Sequence, residues 1–318
     1  MIKNIFILIV ALTLLIGCKA KQYDVSVPPK GYSSNTSLKL AYATGALKLI
    51  EKDFPLPEDI KQYKDVVYKT VDSIQLKLDI YHSMDIKKDA PLIIFIHGGA
   101  WKKGNKHDYL VYLASFAKKG YVTATIQYRL TDVAKYPAQL HDVEDAVRWL
   151  KHNAANYHIA ASKVALVGGS AGGHLAMMNA YSNTPDDVDA NRISANVQAL
   201  VNFYGPSNLT DETAIKAASV QYLIGKTYEE APELYKNASP LFLISKNVPP
   251  TITFQGTLDE LVPYEQSDIL HSTLQEAGAI SYYHKLKGWP HTMDASVKVN
   301  AYCQYHMDRF FEKYIPLN

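Results

Sequence analysis

Residues 164–173 read V-A-L-V-G-G-S-A-G-G and form the most informative stretch of this 318-residue chain. The first four residues are apolar without polar alternation, which predicts a short strand that is buried on both faces. A G-x-S-x-G pattern follows directly, and helix-favouring residues continue from Ala171 to Tyr181. The stretch therefore predicts a strand, a sharp turn and a helix, with Ser170 on the turn as a candidate nucleophile.

Strand-like and helix-like segments alternate along the rest of the chain. Strands are predicted at 63–71, 74–81, 92–96, 121–126, 164–167, 197–203, 251–255 and 282–286. Helices are predicted at 108–119, from Pro137, at 171–181, at 264–277 and at 294–314. This alternation implies crossover connections and an α/β fold, in which a mostly parallel central sheet carries helices on both faces. Residues 205–250 interrupt the alternation and predict a small inserted lid.

The composition argues against several classes of protein. Lysine and arginine number 33 and aspartate and glutamate 31, a net charge of +2 that is too even for an electrostatic nucleic-acid binder. The apolar share of 47% excludes a disordered chain. We find neither H-E-x-x-H nor C-x-x-C, and His174 and Leu175 stand where a phosphate-binding loop needs Lys and Ser or Thr. We therefore expect neither a metal nor another cofactor.

The chain begins with features of an export signal. Lys3 precedes an apolar run at 5–16, which is shorter than the roughly 20 residues of a membrane span. The run ends Leu15-Ile16-Gly17-Cys18, which resembles a bacterial lipobox. We therefore predict a lipoprotein signal peptide at 1–17, a lipidated Cys18, and an exported protein that is anchored in a membrane and faces the periplasm or the cell surface.

The lipobox also sets the expected domain boundaries. Residues 18–60 contain Pro28-Pro29 and a serine-rich stretch, and we predict a lipid-anchored tether there with a short helix near 38–50. The folded domain is then expected at 61–318. With Cys18 acylated, Cys303 is the remaining cysteine, so no intrachain disulfide can form.

A second glycine-rich segment follows the predicted strand 92–96 and reads His97-Gly98-Gly99-Ala100-Trp101. Glycines let the backbone approach a substrate closely, with N–H groups free to bind an oxyanion. We expect Gly99 to donate, with Gly98 or Ala100 as a further donor, beside the N–H of Ala171. His97 is expected to shape this loop, and Trp101 is either a substrate-binding pocket wall or a packing residue.

Ser170 needs a general base, and eleven histidines compete for that role. His291 is favoured, because it lies in a loop directly after the predicted strand 282–286. His284 lies within that strand and His306 within the last helix, and such positions more often serve the structure. The base in turn needs an acid, which we expect on the loop after the preceding strand.

That loop reads Gly256-Thr257-Leu258-Asp259 and follows the predicted strand 251–255. Asp259 is favoured over Glu260 and Glu265 as the acid. The predicted triad is therefore Ser170, Asp259 and His291, in that chain order.

Several motifs together resemble the α/β-hydrolase superfamily, and within it the esterase and lipase group related to hormone-sensitive lipase. The resemblance runs from about residue 63 to 314 and is carried by His97-Gly98-Gly99-Ala100-Trp101, Tyr128-Arg129-Leu130, Tyr136-Pro137-Ala138-Gln139, Asp142 with Arg148-Trp149-Leu150, the glycines at 168–173, and residues 256–263. The triad order matches that superfamily. Because the oxyanion segment is HGG-Ala-Trp and not HGGG, the chain looks closer to bacterial feruloyl and acetyl-xylan esterases and to kynurenine formamidases.

The resemblance implies a serine carboxylic-ester hydrolase that removes acetyl or feruloyl groups from plant- or algal-type saccharides, with a small-molecule or oligosaccharide ester as its substrate. It also implies that Arg129 and Asp142 are structural. An aryl formamidase, a general short-chain carboxylesterase and a non-catalytic binding protein on the same scaffold fit the same motifs. A peptidase of the prolyl-oligopeptidase type is disfavoured, because residues 19–60 are too few for its usual extra domain.

Overall fold

Eight strands form one sheet in the computed structural model of the protein, which describes residues 23–51, 55–182 and 193–317. The strands are β1 (Ile60–Val71), β2 (Ile74–Ser83), β3 (Ala90–Ile96), β4 (Val122–Ile126), β5 (Ile159–Gly169), β6 (Ala199–Phe203), β7 (Thr251–Gly256) and β8 (Ser281–Leu286). Their order across the sheet is β1-β2-β4-β3-β5-β6-β7-β8. β2 pairs antiparallel with both of its neighbours, and all the other pairs are parallel. The predicted mostly parallel sheet is confirmed.

The helices of the described ranges are α1 (Asn35–Ala43), α2 (Leu110–Lys118), α3 (Ala138–His152), α4 (Ala171–Ser182), α5 (Glu212–Lys216), α6 (Ala218–Ile224), α7 (Pro232–Asn237), α8 (Tyr264–Glu276) and α9 (Val297–Tyr314). Side chains of α2 and α9 pack on one face of the sheet, and those of α3, α4 and α8 pack on the other. In β3, Ile93 and Phe95 face the first group while Ile94 faces the second. Alternate residues therefore enter two separate cores, which is why these strands are apolar throughout.

The chain reverses direction across the sheet between β3 and β5. From β3 it crosses through α2 to β4 on one side, and from β4 it returns through α3 to β5 on the other side. In open α/β sheets, ligands bind at such a switch point, beyond the carboxyl ends of the strands. The two glycine-rich segments follow β3 and β5, so both lie at this point.

The predicted insert at 205–250 is helical and contains α5, α6 and α7. Leu223 and Ile224 of α6 are 0% and 3% exposed and belong to the core on the α3–α4–α8 face. Tyr222 of the same helix points away from this core and is 47% exposed. The apolar cluster of α6 thus anchors the insert to the domain, and a lid function for the insert stays a prediction.

The N-terminal helix differs from its prediction near 38–50. It begins at Asn35 because the Ser34 and Ser37 side chains cap it, each accepting a hydrogen bond from the other's backbone N–H. It ends at Ala43, and Gly45 adopts the left-handed conformation that helix ends often use. The sequence estimate missed this helix start because it followed apolar residues and not the serine cap.

The part of the predicted tether that the structure describes is not free chain. We call residues 29–50 the N-terminal brace, because they contact the loop between β8 and α9 at two places. The Tyr32 N–H donates to the Gly288 carbonyl at 2.8 Å, and the Ile50 N–H donates to the Ala295 carbonyl at 2.8 Å. These described residues are therefore bonded to the domain, and a lipid-anchored tether stays a prediction. Apolar and backbone contacts of this kind follow no local sequence pattern.

Residues 1–17 and Cys18 lie outside the described residues, so the signal peptide and the lipid site remain predictions. Within 23–51, 55–182 and 193–317, no helix is both long and apolar enough to cross a bilayer.

Candidate active site

Ser170 occupies a strained turn between β5 and α4. Its φ is +55°, a left-handed conformation that is uncommon outside glycine and is typical of a nucleophile turn. Its backbone N–H donates to the Phe203 carbonyl at the end of β6 at 2.8 Å. A Cβ at Gly172 would lie 2.0 Å from the Ile96 carbonyl oxygen, so α4 can start this close to β3 only with glycine there. The turn is fixed on two neighbouring strands.

The segment after β3 lies directly against the nucleophile. A Cβ at Gly98 would lie 2.8 Å from the Gly169 carbonyl oxygen and 3.3 Å from Ser170 Cβ. Gly99 has a φ of +108°, which turns the chain back beside this contact. Ala100 continues the turn with a φ of +55°. The predicted oxyanion segment and the predicted nucleophile are therefore neighbours in space.

Backbone donors are free at this junction. In the described parts of the chain, no protein acceptor binds the N–H groups of Gly98, Gly99, Ala100 or Ala171. The Ala171 N–H is at the first turn of α4, where N–H groups have no partner within the helix and the helix dipole favours negative charge. These donors are suited to an oxyanion. Which of Gly98, Gly99 and Ala100 donates stays a prediction.

The two flanking residues of this segment serve packing. His97 is 3% exposed, stacks on Tyr128 with 4.4 Å between ring centroids, and bonds through Nδ1 to the Gly98 carbonyl at 2.8 Å. Burial lowers the pKa of His97, so the ring stays neutral. Trp101 is 3% exposed and meets the edge of His174, with ring centroids 5.1 Å apart. These contacts favour the packing role of Trp101, and its substrate-binding role stays a prediction.

Asp259 and His291 form the second half of the site. The structure places His291 Nδ1 2.7 Å from Asp259 Oδ2, and Asp259 is 7% exposed. The backbone N–H groups of Leu261 and Val262 donate to Asp259 Oδ1 at 2.9 Å each, and Gln255 Nε2 donates to Oδ2 at 3.0 Å. Four donors hold this carboxylate in place, so it presents one fixed orientation to the imidazole.

Tyr204 links the two halves of the site. It follows Phe203, whose carbonyl holds the Ser170 N–H, and its ring centroid lies 4.5 Å from that of His291. Because Asp259 engages Nδ1, the other ring nitrogen of His291 is the one available for Ser170. Ser170, Asp259 and His291 all lie at the carboxyl edge of the parallel strands, as the sequence predicts.

The other candidates for the general base and for the orienting acid lie outside the Asp259–His291 pair. Burial, and then the neighbouring His306, lowers the pKa of His284 to about 3, and His284 Nδ1 bonds to the Tyr302 hydroxyl at 2.6 Å. Glu260 is exposed and accepts a hydrogen bond from Asn35. Glu265 is exposed in the first turn of α8. None of these groups shares the Asp259–His291 contact.

Arg129 and Asp142 form a structural ion pair, as the resemblance implies. Arg129 Nε lies 2.8 Å from Asp142 Oδ2 and Arg129 Nη2 lies 2.9 Å from Oδ1, a bidentate arrangement. Lys69 Nζ adds a third contact to Asp142 at 2.7 Å. These residues join α3 to β1 and to the segment after β4. Among residues 23–51, 55–182 and 193–317, no group of three or more His, Cys, Asp or Glu side chains could hold a metal ion.

Two residues of the site, Tyr204 and Asp294, were not found from the sequence. Tyr204 lies where the insert begins, and Asp294 lies three residues after His291. A tyrosine before Gly-Pro gives no chemical signal by itself. Only the ring contact of Tyr204 with His291 and the hydrogen bond from Tyr204 to Asp294 reveal these residues.

A family model described as BD-FAE matches residues 78–274, well over half of the chain. The chain belongs to the BD-FAE family. A curated relative of this BD-FAE protein, esterase LipQ of Mycobacterium tuberculosis, is 30% identical over 234 residues, which cover 70% of this chain and 56% of LipQ. The chain thus spans little more than half the length of such curated relatives.

Solved structures agree with the fold of this BD-FAE protein. A truncated carbohydrate esterase from gut microbiota superposes with a TM-score of 0.69 at 26% identity, covering 80% of this chain and 98% of that one. Butyrate-bound Est2, a thermophilic esterase of Thermogutta terrifontis, also gives 0.69 at 26% identity, covering 82% of this chain and 96% of that one. The α/β-hydrolase fold and the predicted resemblance to esterases of that superfamily are confirmed.

Proposed function

We propose that this protein is a serine carboxylic-ester hydrolase that works through an acyl-enzyme. The observation that carries the proposal is the 2.7 Å contact between His291 Nδ1 and Asp259 Oδ2 at the sheet edge where Ser170 stands on its strained turn. A nucleophile, a base and an orienting acid, with free backbone donors beside them, are the parts that acyl transfer needs.

The proposed reaction has two halves. Ser170 Oγ attacks the ester carbonyl while His291 Nε2 takes its proton, and Asp259 stabilises the imidazolium that forms. The N–H groups of Gly99 and Ala171 bind the oxyanion of the tetrahedral intermediate. His291 then protonates the leaving alcohol, which leaves an acyl group on Ser170. Water, deprotonated by His291, attacks this ester, and collapse of the second intermediate releases the acid and restores Ser170.

The proposed substrates are acetyl or feruloyl esters of saccharides. The structural likeness to a carbohydrate esterase from gut microbiota supports a sugar as the alcohol part. The BD-FAE family membership and the HGG-Ala-Trp segment point the same way. A general short-chain carboxylesterase is the second candidate, because LipQ is named simply an esterase and Est2 was solved with butyrate bound.

The test uses the full chain and three kinds of ester: acetylated xylan, feruloylated oligosaccharide, and p-nitrophenyl esters from acetate to hexanoate. Ser170→Ala should lower kcat by roughly 10³ or more, leaving only binding and oxyanion effects. Ser182→Ala, at the far end of α4, serves as the matched control and should keep wild-type activity. Activity of Ser170→Ala within tenfold of wild type would contradict the mechanism. Turnover of p-nitrophenyl esters without turnover of either saccharide ester would favour the second candidate.

A further inference from the structure

A buried aromatic and acidic pair lies against the candidate base, and the reaction steps above do not use it. Tyr204 and Asp294 are 3% and 6% exposed, and the Tyr204 hydroxyl donates a hydrogen bond to Asp294 Oδ1. The rings of Tyr204 and His291 lie 4.5 Å apart between centroids, with their planes tilted by 56°. One side chain therefore bridges the imidazole and a second carboxylate.

The backbone of Tyr204 is strained and firmly held. Its φ is +41°, a genuine outlier for a bulky residue, and such strain persists where the surroundings over-determine a conformation. The Tyr204 N–H donates to the Phe254 carbonyl of β7 at 2.9 Å, and the preceding carbonyl, of Phe203, accepts from Ser170 at 2.8 Å. Tyr204 is thus fixed to both the strand that leads to Asp259 and the turn that carries the nucleophile.

Asp294 is likewise held in place. It lies in a short 3₁₀ turn before α9, and the Asn300 side chain donates to its backbone carbonyl at 3.2 Å. The Asp294 carboxylate accepts a hydrogen bond from Tyr204, and Asp294 lies only three residues after His291 in the chain. Contacts therefore run from β6 through Tyr204 to Asp294, and the charge of His291 acts on the same carboxylate.

We propose that Tyr204 and Asp294 are positioning residues for His291: the Tyr204 ring supports one face of the imidazole, and Asp294 supplies a second negative charge for the imidazolium formed during catalysis. This proposal rests on the proposed esterase function. The negative face of an aromatic ring attracts a nearby cation, so the Tyr204 ring favours the charged imidazole as well.

The surrounding charges are consistent with this role. Burial raises the pKa of Asp294, whereas the hydrogen bond from Tyr204 and the charge of His291 act in the opposite direction. Burial, and then Asp294, raises the pKa of Tyr204 far above its usual value, so the phenol keeps its proton and remains the donor. The charge that His291 carries when it is protonated therefore acts on Asp294.

The remaining titratable groups that face this pair are neutral hydroxyl and thiol groups. They are Tyr109 at the start of α2, Tyr112 within α2, and Cys303 of α9, and burial is the main cause that raises the pKa of each. His291 itself faces Asp259, Asp294 and Tyr204. Removing Asp294 therefore removes one of two carboxylates that stabilise the imidazolium.

The experiment measures kcat/KM for p-nitrophenyl acetate from pH 4.5 to 9 in Asp294→Asn and Tyr204→Phe. Asp294→Asn keeps the shape and removes the charge, so the imidazolium holds its proton less tightly. The acid limb should move to lower pH by about half a unit or more, with a smaller kcat at the plateau. Tyr204→Phe keeps the ring but withdraws the hydrogen bond that favours the ionised carboxyl, so its acid limb should move in the same direction.

Tyr112→Phe is the matched control. Its hydroxyl is buried beside the same cluster and has no hydrogen-bond partner in the described parts of the chain, so its removal should leave the profile unchanged. The folded fraction of each variant is measured by circular dichroism at every pH and the rates are divided by it, so the acid limb of a destabilised variant can still be compared with that of the wild type. The double variant Tyr204→Phe/Asp294→Asn should shift no further than the larger single shift, because the two residues act as one unit.

The outcomes separate this proposal from the proposed function. Acid limbs of Asp294→Asn and Tyr204→Phe that coincide with that of Tyr112→Phe would overturn the positioning role, even if kcat fell at every pH. A lower kcat with an unchanged acid limb would show that Tyr204 and Asp294 serve only the stability of the fold. Loss of the esterase assignment would show instead in Ser170→Ala, which would then retain activity.

Discussion

The Asp259 carboxylate accepts a hydrogen bond from His291 Nδ1 at 2.7 Å, while two backbone N–H groups fix its other oxygen. This arrangement selects one tautomer of the imidazole. The proton resides on Nδ1 and the lone pair on Nε2, which is the form that can accept the proton of a serine hydroxyl.

Asp259→Asn should therefore lower kcat strongly with little change in KM. The amide keeps the shape, but its NH₂ group would favour a proton on Nε2 and so remove the base. We expect a loss on the order of 10³–10⁴ in kcat on p-nitrophenyl acetate. Asp268→Asn is the control, because Asp268 pairs with Lys285 at 2.8 Å on the surface. Equal activities of the two variants would remove Asp259 from the triad.

The pH profile should identify the base. Activity should fall on the acid side near pH 6–7, where histidine side chains ordinarily gain a proton, because a protonated ring cannot accept from Ser170. His291→Gln should be nearly inactive, whereas His284→Gln and His306→Gln should keep most of the activity. A rate that stays flat down to pH 4, or the reverse order among the three variants, would place the base elsewhere.

The α6 cluster should act on stability and not on acyl length. Leu223→Ala removes a side chain that is 0% exposed in the core, so we expect about 2–5 kcal/mol less free energy of unfolding. Tyr222→Ala should change that free energy little, because Tyr222 is 47% exposed and contacts the ammonium groups of Lys102 and Lys135. Denaturant titration measures the first effect. A rise in the butyrate-to-acetate ratio of kcat/KM in Leu223→Ala would instead show that the α6 cluster limits the length of the acyl group.

His174 should make the fold sensitive to acid. Burial lowers the pKa of His174 to about 4, from an ordinary value of 6.5. Below pH 6.5 the unfolded chain therefore binds a proton that the folded chain does not bind, so stability falls as the pH falls from about 6.5 to 4. The expected loss from this one group is on the order of 3 kcal/mol.

The test of His174 compares urea unfolding of wild type and His174→Gln at several pH values. Gln keeps a donor for the Ala238 carbonyl, which His174 Nε2 contacts at 2.7 Å, but it cannot titrate. The pH slope between 6.5 and 4 should be shallower in the variant. Parallel slopes for the two proteins would show that His174 is charged in the native state.

We propose that Cys18 carries lipid, on the strength of Leu15-Ile16-Gly17-Cys18 after an apolar run. Cys18→Ser should block acylation and move the protein out of the membrane fraction of its host. Mass spectrometry of the mature N-terminus gives the direct readout. An unmodified terminus at any other residue would refute the lipoprotein prediction.

The sequence predicted those site residues whose chemistry requires particular neighbours in the local chain. A serine on a strand-to-helix turn needs small neighbours, and an oxyanion loop needs glycine, so Ser170 and Gly99 leave a local pattern. His291 and Asp259 follow because loops after parallel strands meet at one edge. The fold could be predicted for a similar reason, because strands that are buried on both faces are apolar throughout.

Other parts of the site leave no such pattern. The sequence leaves Trp101 as either a pocket wall or a packing residue, because its burial involves contact with His174, 73 positions later in the chain. The role of Tyr204 depends on the end of β6 lying close enough to His291 for the two rings to make contact. The docking of the brace depends on Gly288, which belongs to a distant loop. Long-range geometry of this kind has no local signature.

The N-terminal brace ties the catalytic loop to the opposite end of the polypeptide. Besides the contacts of Tyr32 and Ile50, the Trp289 indole donates to the Pro29 carbonyl at 2.8 Å. Tyr32 and Gly288 are 256 positions apart in the chain, so these contacts form only when two distant segments meet. Closing so long a loop carries a cost in chain entropy that the contacts within the sheet do not share. The position of the catalytic base therefore depends on a long-range closure as well as on the strands that carry Ser170 and Asp259.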